Sequence, residues 1–355
     1  MEETFSTNYE TDTDRDKRRE DRVLARSSTS ATSSELRLSS ALERAIPDAL
    51  LTLHSLGYAV LPAVLTDREC DAWISGFWNF METRLGIVKS NPESNHWIQS
   101  VHGIIKHSLG HEDFMWNVRS HRNVCGVFNM IHDRRFDQID QNMISSFDAC
   151  CVGRPPESRR YGHMDTTGTD SATWFHTDQH PFNYRYCVQG LVSMEETDSE
   201  DWTLAVLPAT HIHHEEFFNE IGAPKGAKNW FQLKTEEQRQ LLCCGDIIQP
   251  IRLNVPKGGM LLWDSRLFHC GVLPIKGRAH QNRWRYVQYV CHLPRRYLSD
   301  KVLAKRRKWA EQGRTTNHWG EHVDPIKPQW AKPGNYLANP IGLNENSPTE
   351  WLRLV

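Results

Sequence analysis

The chain has 355 residues, 39% hydrophobic and 24% charged, with 42 Lys and Arg against 44 Asp and Glu for a formal net charge of -2. That length accommodates one large domain or two, and the composition is ordinary for a globular protein in water. A near-neutral balance argues against a dedicated nucleic-acid or membrane-surface protein, which normally carries a basic excess, and no apolar run approaches the ~20 residues that cross a bilayer. The nine cysteines show neither Cys-x-x-Cys nor zinc-finger spacing. Cys150-Cys151 and Cys243-Cys244 are adjacent pairs, and neighbours in a strand point to opposite faces. An odd count without a recognisable signal peptide predicts reduced, buried thiols. Leu352-Arg353-Leu354-Val355 is not a peroxisomal address, so a soluble, cytoplasmic protein is expected.

In chain order, residues 1–34 are polar and charged with almost no large apolar groups, a composition that cannot offset its own ordering entropy and so predicts a disordered tail. A helix is expected from Ser34 to about Leu56, broken or kinked at Pro47, and then a strand at 57–61. Thr66-Asp67-Arg68-Glu69 has the form of a capping box, followed by apolar residues at Cys70, Trp73, Ile74, Phe77 and Met81. Together they predict an amphipathic helix ending near Gly86, its aromatic stripe turned to the core. A further helical region is expected over 113–131, burying Phe114, Val118, Val124, Val127 and Phe128.

From Ser145 the pattern changes to short β-rich runs: 144–152, 186–194, 203–207, 259–263 and 284–292. Pro256-Lys257-Gly258-Gly259 is a turn leading into the fourth. Several short strands separated by turns predict a sandwich or closed barrel. A charged helix follows at about 299–312, where Lys305-Arg306-Arg307-Lys308 reads as a solvated face, and then a tail bearing Pro and Trp. The expected organisation is one domain over 35–340, with a helical part at 35–140 and a β core at 141–295, followed by a C-terminal helix and tail at 296–355.

The segment Trp174-Phe175-His176-Thr177-Asp178-Gln179 and, far downstream, Trp263-Asp264-Ser265-Arg266-Leu267-Phe268-His269 supply two histidines and a carboxylate. Such a set on one face of an ion forms the facial triad of non-haem Fe(II) oxygenases and leaves coordination positions open. Residues i and i+2 of a strand share a face, so His176 and Asp178 suit one ion, with His269 arriving from another strand.

The flanking segments resemble the phytanoyl-CoA dioxygenase-like family of Fe(II)/2-oxoglutarate oxygenases. Leu204-Ala205-Val206-Leu207-Pro208-Ala209-Thr210-His211 looks like the family's Val-Leu-Pro-Gly-Ser-His strand and turn, departing from it at Ala209-Thr210. Ser146-Phe147-Asp148, ahead of Arg154-Pro155-Pro156, resembles the segment before the iron motif. Trp263-Asp264-Ser265-Arg266 leading to His269, and then 285–291, resemble the distal-histidine and arginine strands. Gly313-Arg314-Thr315-Thr316-Asn317-His318-Trp319 resembles a C-terminal motif of some members. The likeness covers roughly 50–336.

The resemblance implies a double-stranded β-helix (a cupin-like jelly roll), mainly β with flanking helices. It implies Fe(II) held by His176, Asp178 and His269, with 2-oxoglutarate and O₂ as cosubstrates. Arg285 takes the position that grips the far carboxylate of 2-oxoglutarate through a bidentate guanidinium. Arg283, of the same parity, is the alternative, and Arg278 sits in a turn. Gln189, polar within an apolar strand, either bonds the cosubstrate or satisfies a neighbouring backbone group. Ser146 and Asp148, on one strand face, either line the substrate pocket or, for Asp148, cap a turn. His211, His213 and His214, beside Glu215 and Glu216, read as a solvent-facing helix start rather than a second metal site. His180 reads as a loop or pocket residue, and Asp264 as an outer-shell or turn group.

The activity implied is dioxygenation of a C–H bond in a small organic molecule, with release of succinate and CO₂ and hydroxylation as the default outcome over desaturation or ring closure. A silent metal-binding jelly roll and a protein hydroxylase are the alternatives. Substrate identity and oligomeric state do not follow from the sequence.

Overall fold

The computed structural model describes residues 33–90, 103–105, 109–132, 143–155, 174–181, 183, 185–222, 229–242, 248–321 and 342–355. The polar segment 1–32, Pro156 and the Cys243-Cys244 pair lie outside them.

Helix α1, Ser33–Leu56, runs through Pro47 without a break. Pro47 and Glu43 are both exposed, so the backbone carbonyl that proline leaves without a donor faces water. Strand β1, Tyr58–Leu61, follows. Helix α2, Asp67–Leu85, opens with the full reciprocal capping box of Thr66 and Glu69 and closes on Gly86 at φ 67°, the left-handed geometry glycine adopts freely. Beyond the short strand β2, Ile104–Ile105, the expected 113–131 helix is two: α3, Asp113–Arg119, and α4, Arg122–Ile131. The chain turns at Ser120 because His121 caps the second helix, its ring Nδ1 accepting from the Asn123 amide at 3.3 Å. All five predicted apolar positions are buried.

The predicted 144–152 strand also divides, into β3, Met143–Ser145, and β4, Cys150–Gly153, which join different sheets. Ser146 and Asp148 therefore occupy the link between them, not a strand face. Next come β5, His176–Thr177; β6, Val188–Ser193; β7, Thr203–Val206; helix α5, His214–Ile221; β8, Phe231–Gln232; and helix α6, Glu236–Leu242. Then follow β9, Ile251–Arg252; β10, Met260–Asp264; β11, His269–Val272; β12, Arg285–Val290; β13, His292–Pro294; and helix α7, Asp300–Glu311. Here too one predicted strand, 284–292, is two.

The strands form a six-stranded sheet, β1-β10-β6-β12-β4-β2, and a five-stranded sheet, β8-β5-β11-β7-β9, with β13 and β3 as a separate pair. Every pairing is antiparallel. The strand period of two sorts the side chains into layers. Leu191, Leu261, Trp263 and Val287 of the large sheet meet Leu204 and Val206 of the small one to form the interior. The opposite face of the large sheet, with Met260, Leu262, Val192, Tyr286 and Val290, packs on α1 to α4. The outer face of the small sheet packs on Phe217 and Phe218 of α5. Cys150 lies in the helix-facing layer and Cys151 in the interior, on opposite faces as adjacent strand residues must be. This is the expected jelly-roll core, mainly β with helices on its flanks.

The 256–259 turn aligns the large sheet. Gly258 adopts φ 73°, and a Cβ there would lie 2.3 Å from the Leu65 carbonyl oxygen. Its own carbonyl accepts from Val64 and Leu65 at 2.7 and 3.2 Å. Only glycine permits that close approach.

Candidate metal centre

His176 and His269 face each other across the β5–β11 pairing, their ring centroids 4.4 Å apart. Asp178 follows β5 directly, its amide bonded to the Ser265 carbonyl at 3.0 Å. The carboxylate Oδ1 lies 3.8 Å from His176 Nε2, and Oδ2 lies 3.7 Å from His269 Nε2. The three ligand atoms sit within 4.8 Å of one another, the spacing of donors arranged around a shared ion. Among the described residues this is the one such cluster.

The hydrogen bonds behind the rings select the ligating nitrogens. His269 Nδ1 is 2.9 Å from the Leu267 carbonyl, and His176 Nδ1 is 3.3 Å from that of Trp174. A carbonyl only accepts, so each Nδ1 carries the hydrogen and each Nε2 presents its lone pair toward Asp178. Burial pushes the His269 ring down to about 3, helped by the neighbouring His176. Burial likewise lowers His176, against the opposing pull of Asp178. Both are thus held neutral, as ligation requires. For Asp178 burial acts upward, but the surrounding imidazoles and Gln189 outweigh it and keep the carboxyl below its usual range.

An indole supports each ligand. Trp174 stacks on His176 with centroids 4.8 Å apart and donates to the Gly271 carbonyl at 2.9 Å. Trp263 lies 5.3 Å from His269. Trp319 Nε1 donates to the Asp178 backbone carbonyl at 2.9 Å.

Gln189 lies at the join. Trp263 Nε1 donates to Gln189 Oε1 at 2.8 Å. Because an indole N–H only donates, the orientation of the amide is fixed. Its Nε2 then donates to Asp178 Oδ2 at 3.0 Å and to the His318 carbonyl at 2.9 Å.

Arg285, the first residue of β12, is buried on the interior face and reaches across to the small sheet, where Nη1 donates to the Thr203 carbonyl at 3.2 Å. Its Nε has no partner, and no carboxylate pairs with it among the described residues. Arg283 is placed differently: it pairs with Asp201 at 2.6 Å, Asp198 at 3.1 Å and Glu196 at 3.4 Å. Arg278 also pairs with Asp201, at 2.7 Å.

The Ser146 hydroxyl donates to Asp148 Oδ2, and His318 Nδ1 approaches the same oxygen at 2.8 Å. His318 and Trp319 carry contacts for which the sequence offered no role beyond their place in the 313–319 motif. Asp264 forms a turn, accepting from the Arg266 backbone amide and pairing with its guanidinium at 2.7 Å. His180 lies in a loop, its amide bonded to Asn229. The expectation of a solvent-facing 211–214 segment is corrected. His211 and His214 are buried, their Nε2 atoms 2.9 and 3.0 Å from the carbonyls of His54 and Gln179.

No family model matches the chain. The Ava biosynthesis cluster protein O of Aspergillus versicolor is 23% identical over 209 residues, which are 57% of this chain and 61% of that protein. The chain thus spans about three-fifths of the length of that curated relative. Among solved structures, it is similar to the epimerase SnoN in complex with Fe3+, alpha ketoglutarate and nogalamycin RO (10% identity, TM-score 0.46, 71% of this chain and 84% of that one). Similarity extends to HygX from Streptomyces hygroscopicus with nickel and 2-oxoglutarate bound (10%, TM-score 0.42, 70% and 86%). A third is the non-heme alpha ketoglutarate dependent carbocyclase SnoK (10%, TM-score 0.43, 70% and 83%). No helix of the described residues is long and apolar enough to cross a membrane.

Proposed function

We propose that the chain is an Fe(II)- and 2-oxoglutarate-dependent dioxygenase that oxidises a C–H bond of a small organic molecule, with hydroxylation as its default outcome. The observation that carries this reading is the convergence of His176, Asp178 and His269 with both Nε2 atoms turned toward the carboxylate. Two neutral imidazoles and one carboxylate suit ferrous iron and leave coordination positions open. Bound there, iron and 2-oxoglutarate supply the oxidation of the C–H bond by O₂, with release of succinate and CO₂.

The chain's own residues do the holding. His176 and His269 would hold the ion through Nε2, each ring oriented by the carbonyl behind its Nδ1, and Gln189 would fix the carboxylate. Arg285, a buried guanidinium without an anionic partner among the described residues, is the group suited to the far carboxylate of 2-oxoglutarate. Leu191, Leu204, Val206 and Val287 line the interior between the sheets, where an apolar wall excludes water and strengthens each polar contact. The likeness to a biosynthesis-cluster protein supports a small-molecule substrate over a protein one.

The test is anaerobic. Fe(II) and then 2-oxoglutarate are added to the wild type and to Asp178→Ala. The visible charge-transfer band of the chelate is expected in the wild type alone. Its absence from folded, iron-loaded wild-type protein would move the reading to a silent metal-binding jelly roll.

A further inference from the structure

We propose that His318 is a further positioning residue of this centre. Its Nε2 hydrogen-bonds an oxygen atom of what the triad holds: a metal-bound water first, then a carboxylate oxygen of the 2-oxo acid. The inference rests on the metal-centre reading and adds to it a contact from outside the triad and the arginine strand.

The ring is held from behind by a directional relay. The Cys291 amide, which only donates, bonds Ser146 Oγ at 3.1 Å, so the Ser146 hydrogen turns to Asp148 Oδ2. The same buried oxygen meets His318 Nδ1 at 2.8 Å. With a carboxylate oxygen accepting at both contacts, Nδ1 carries a hydrogen and the ring cannot turn over without losing it. Two hydrogen bonds dock the segment that carries the ring: the Phe147 amide donates to Thr316 Oγ1 at 3.0 Å, and the Thr316 amide to the Phe147 carbonyl at 2.9 Å.

The other ring nitrogen, Nε2, is buried and has no partner among the described residues. The polar groups that link the His318 segment to Asp178 are committed elsewhere. Gln189 bridges Asp178 and the His318 carbonyl, Trp263 is bonded to Gln189, and Trp319 to the Asp178 carbonyl. The imidazole lies 5.4 Å from the Trp263 ring and 5.2 Å from that of Tyr289, and Trp263 in turn lies 5.3 Å from His269. A buried polar atom left unbonded beside a ligand-binding centre marks the place where a bound molecule completes the network. A role confined to holding Asp148 requires only Nδ1, so Nε2 separates the two readings.

The experiment uses full-length protein labelled with ¹⁵N-histidine, and Zn(II) as a diamagnetic metal. His318→Asn keeps an amide near the Nδ1 position and lacks Nε2; His318→Gln places an amide near Nε2. The variants assign the His318 resonances. The Nε2 resonance is expected to move while Nδ1 holds. Movement on Zn(II) alone identifies a metal-bound water, and movement on adding 2-oxoglutarate identifies the carboxylate. In the Fe(II) chelate titration, His318→Asn is expected to weaken 2-oxoglutarate about tenfold, the scale of one charge-assisted bond, and His318→Gln to recover part of that. An unmoved Nε2 with unchanged cosubstrate affinity in His318→Asn overturns the proposal. If the wild type forms no chelate, the oxygenase reading fails by itself. The zinc arm then decides the His318 contact, with movement supporting it and no movement overturning it.

Discussion

Gln189 Nε2 donates to Asp178 Oδ2 at 3.0 Å, so the one carboxylate of the candidate metal centre is oriented by a strand of the opposite sheet. Outer groups that orient ligands typically account for ~10–100-fold in metal affinity. Gln189→Leu, which keeps the volume and removes all three amide hydrogen bonds, is expected to weaken Fe(II) by about that factor while the fold persists. Metal titration followed by far-UV circular dichroism checks both halves. Unchanged metal affinity would reduce Gln189 to a structural bridge between Trp263 and His318.

Arg285 differs from its neighbours Arg278 and Arg283 in having no acidic partner among the described residues. Truncating a buried, hydrogen-bonded charge partner commonly costs about 2–4 kcal/mol, on the order of 10²-fold in Kd. Arg285→Ala is expected to weaken 2-oxoglutarate to that extent with Fe(II) affinity retained, and Arg285→Lys to fall between the two, since an ammonium keeps the charge but not the fork. An equal loss in Arg283→Ala would transfer the anchor to that residue.

What the sequence made legible is what short-range chemistry specifies. The capping box of α2 closes within four residues, and the candidate ligands His176, Asp178 and His269 stand out by residue type and the i, i+2 spacing of the first two, read together with the family-like segments around them. The run of short strands pointed to a sandwich or barrel, and the family resemblance narrowed it to a jelly roll. Long-range partnerships were hidden. Asp148 and His318 meet across 170 positions, and Gln189 reaches the His318 carbonyl across 129. Neither pairing leaves a local pattern, so His318 showed only as part of a motif without a role. His211 and His214 looked solvated because Glu215 and Glu216 follow them, yet each is buried against a distant carbonyl. Likewise, nothing within 144–152 announces that β3 and β4 belong to different sheets.

Asp201 gathers two cations, Arg278 at 2.7 Å and Arg283 at 2.6 Å, in a buried setting. Removing one partner of a buried pair leaves the others uncompensated, at about 3–5 kcal/mol. Asp201→Asn, equal in size, is expected to lower the unfolding free energy by about that amount without changing the chelate band. Chemical denaturation measures the first and the anaerobic titration the second. A loss below about 1 kcal/mol, the level of an exposed pair, would show that water reaches these guanidinium groups.

His292 gives the protein an acid-sensitive core. Its ring is buried, stacks on Phe128 at 4.7 Å and 21°, and has no hydrogen-bond partner at either nitrogen among the described residues. Burial, with Arg119 and other nearby cations, pushes it down to about 3 from an ordinary 6.5. Above that ordinary value the ring is neutral in the folded and unfolded chain alike, so its full contribution is present. Below it the unfolded chain takes up a proton that the folded chain refuses. Stability therefore drains away as pH falls toward the folded value, by ~1.4 kcal/mol per pH unit and about 2 kcal/mol by pH 5. His292→Phe keeps the stack and removes the titrating group. Denaturant unfolding at pH 7.5 and 5.0 is expected to show the variant gaining about 2 kcal/mol on the wild type between the two conditions. His111, also buried and pushed down to about 3, is present in both proteins and cancels from that difference. The same gap at both pH values would mean that the folded protein admits a proton at His292.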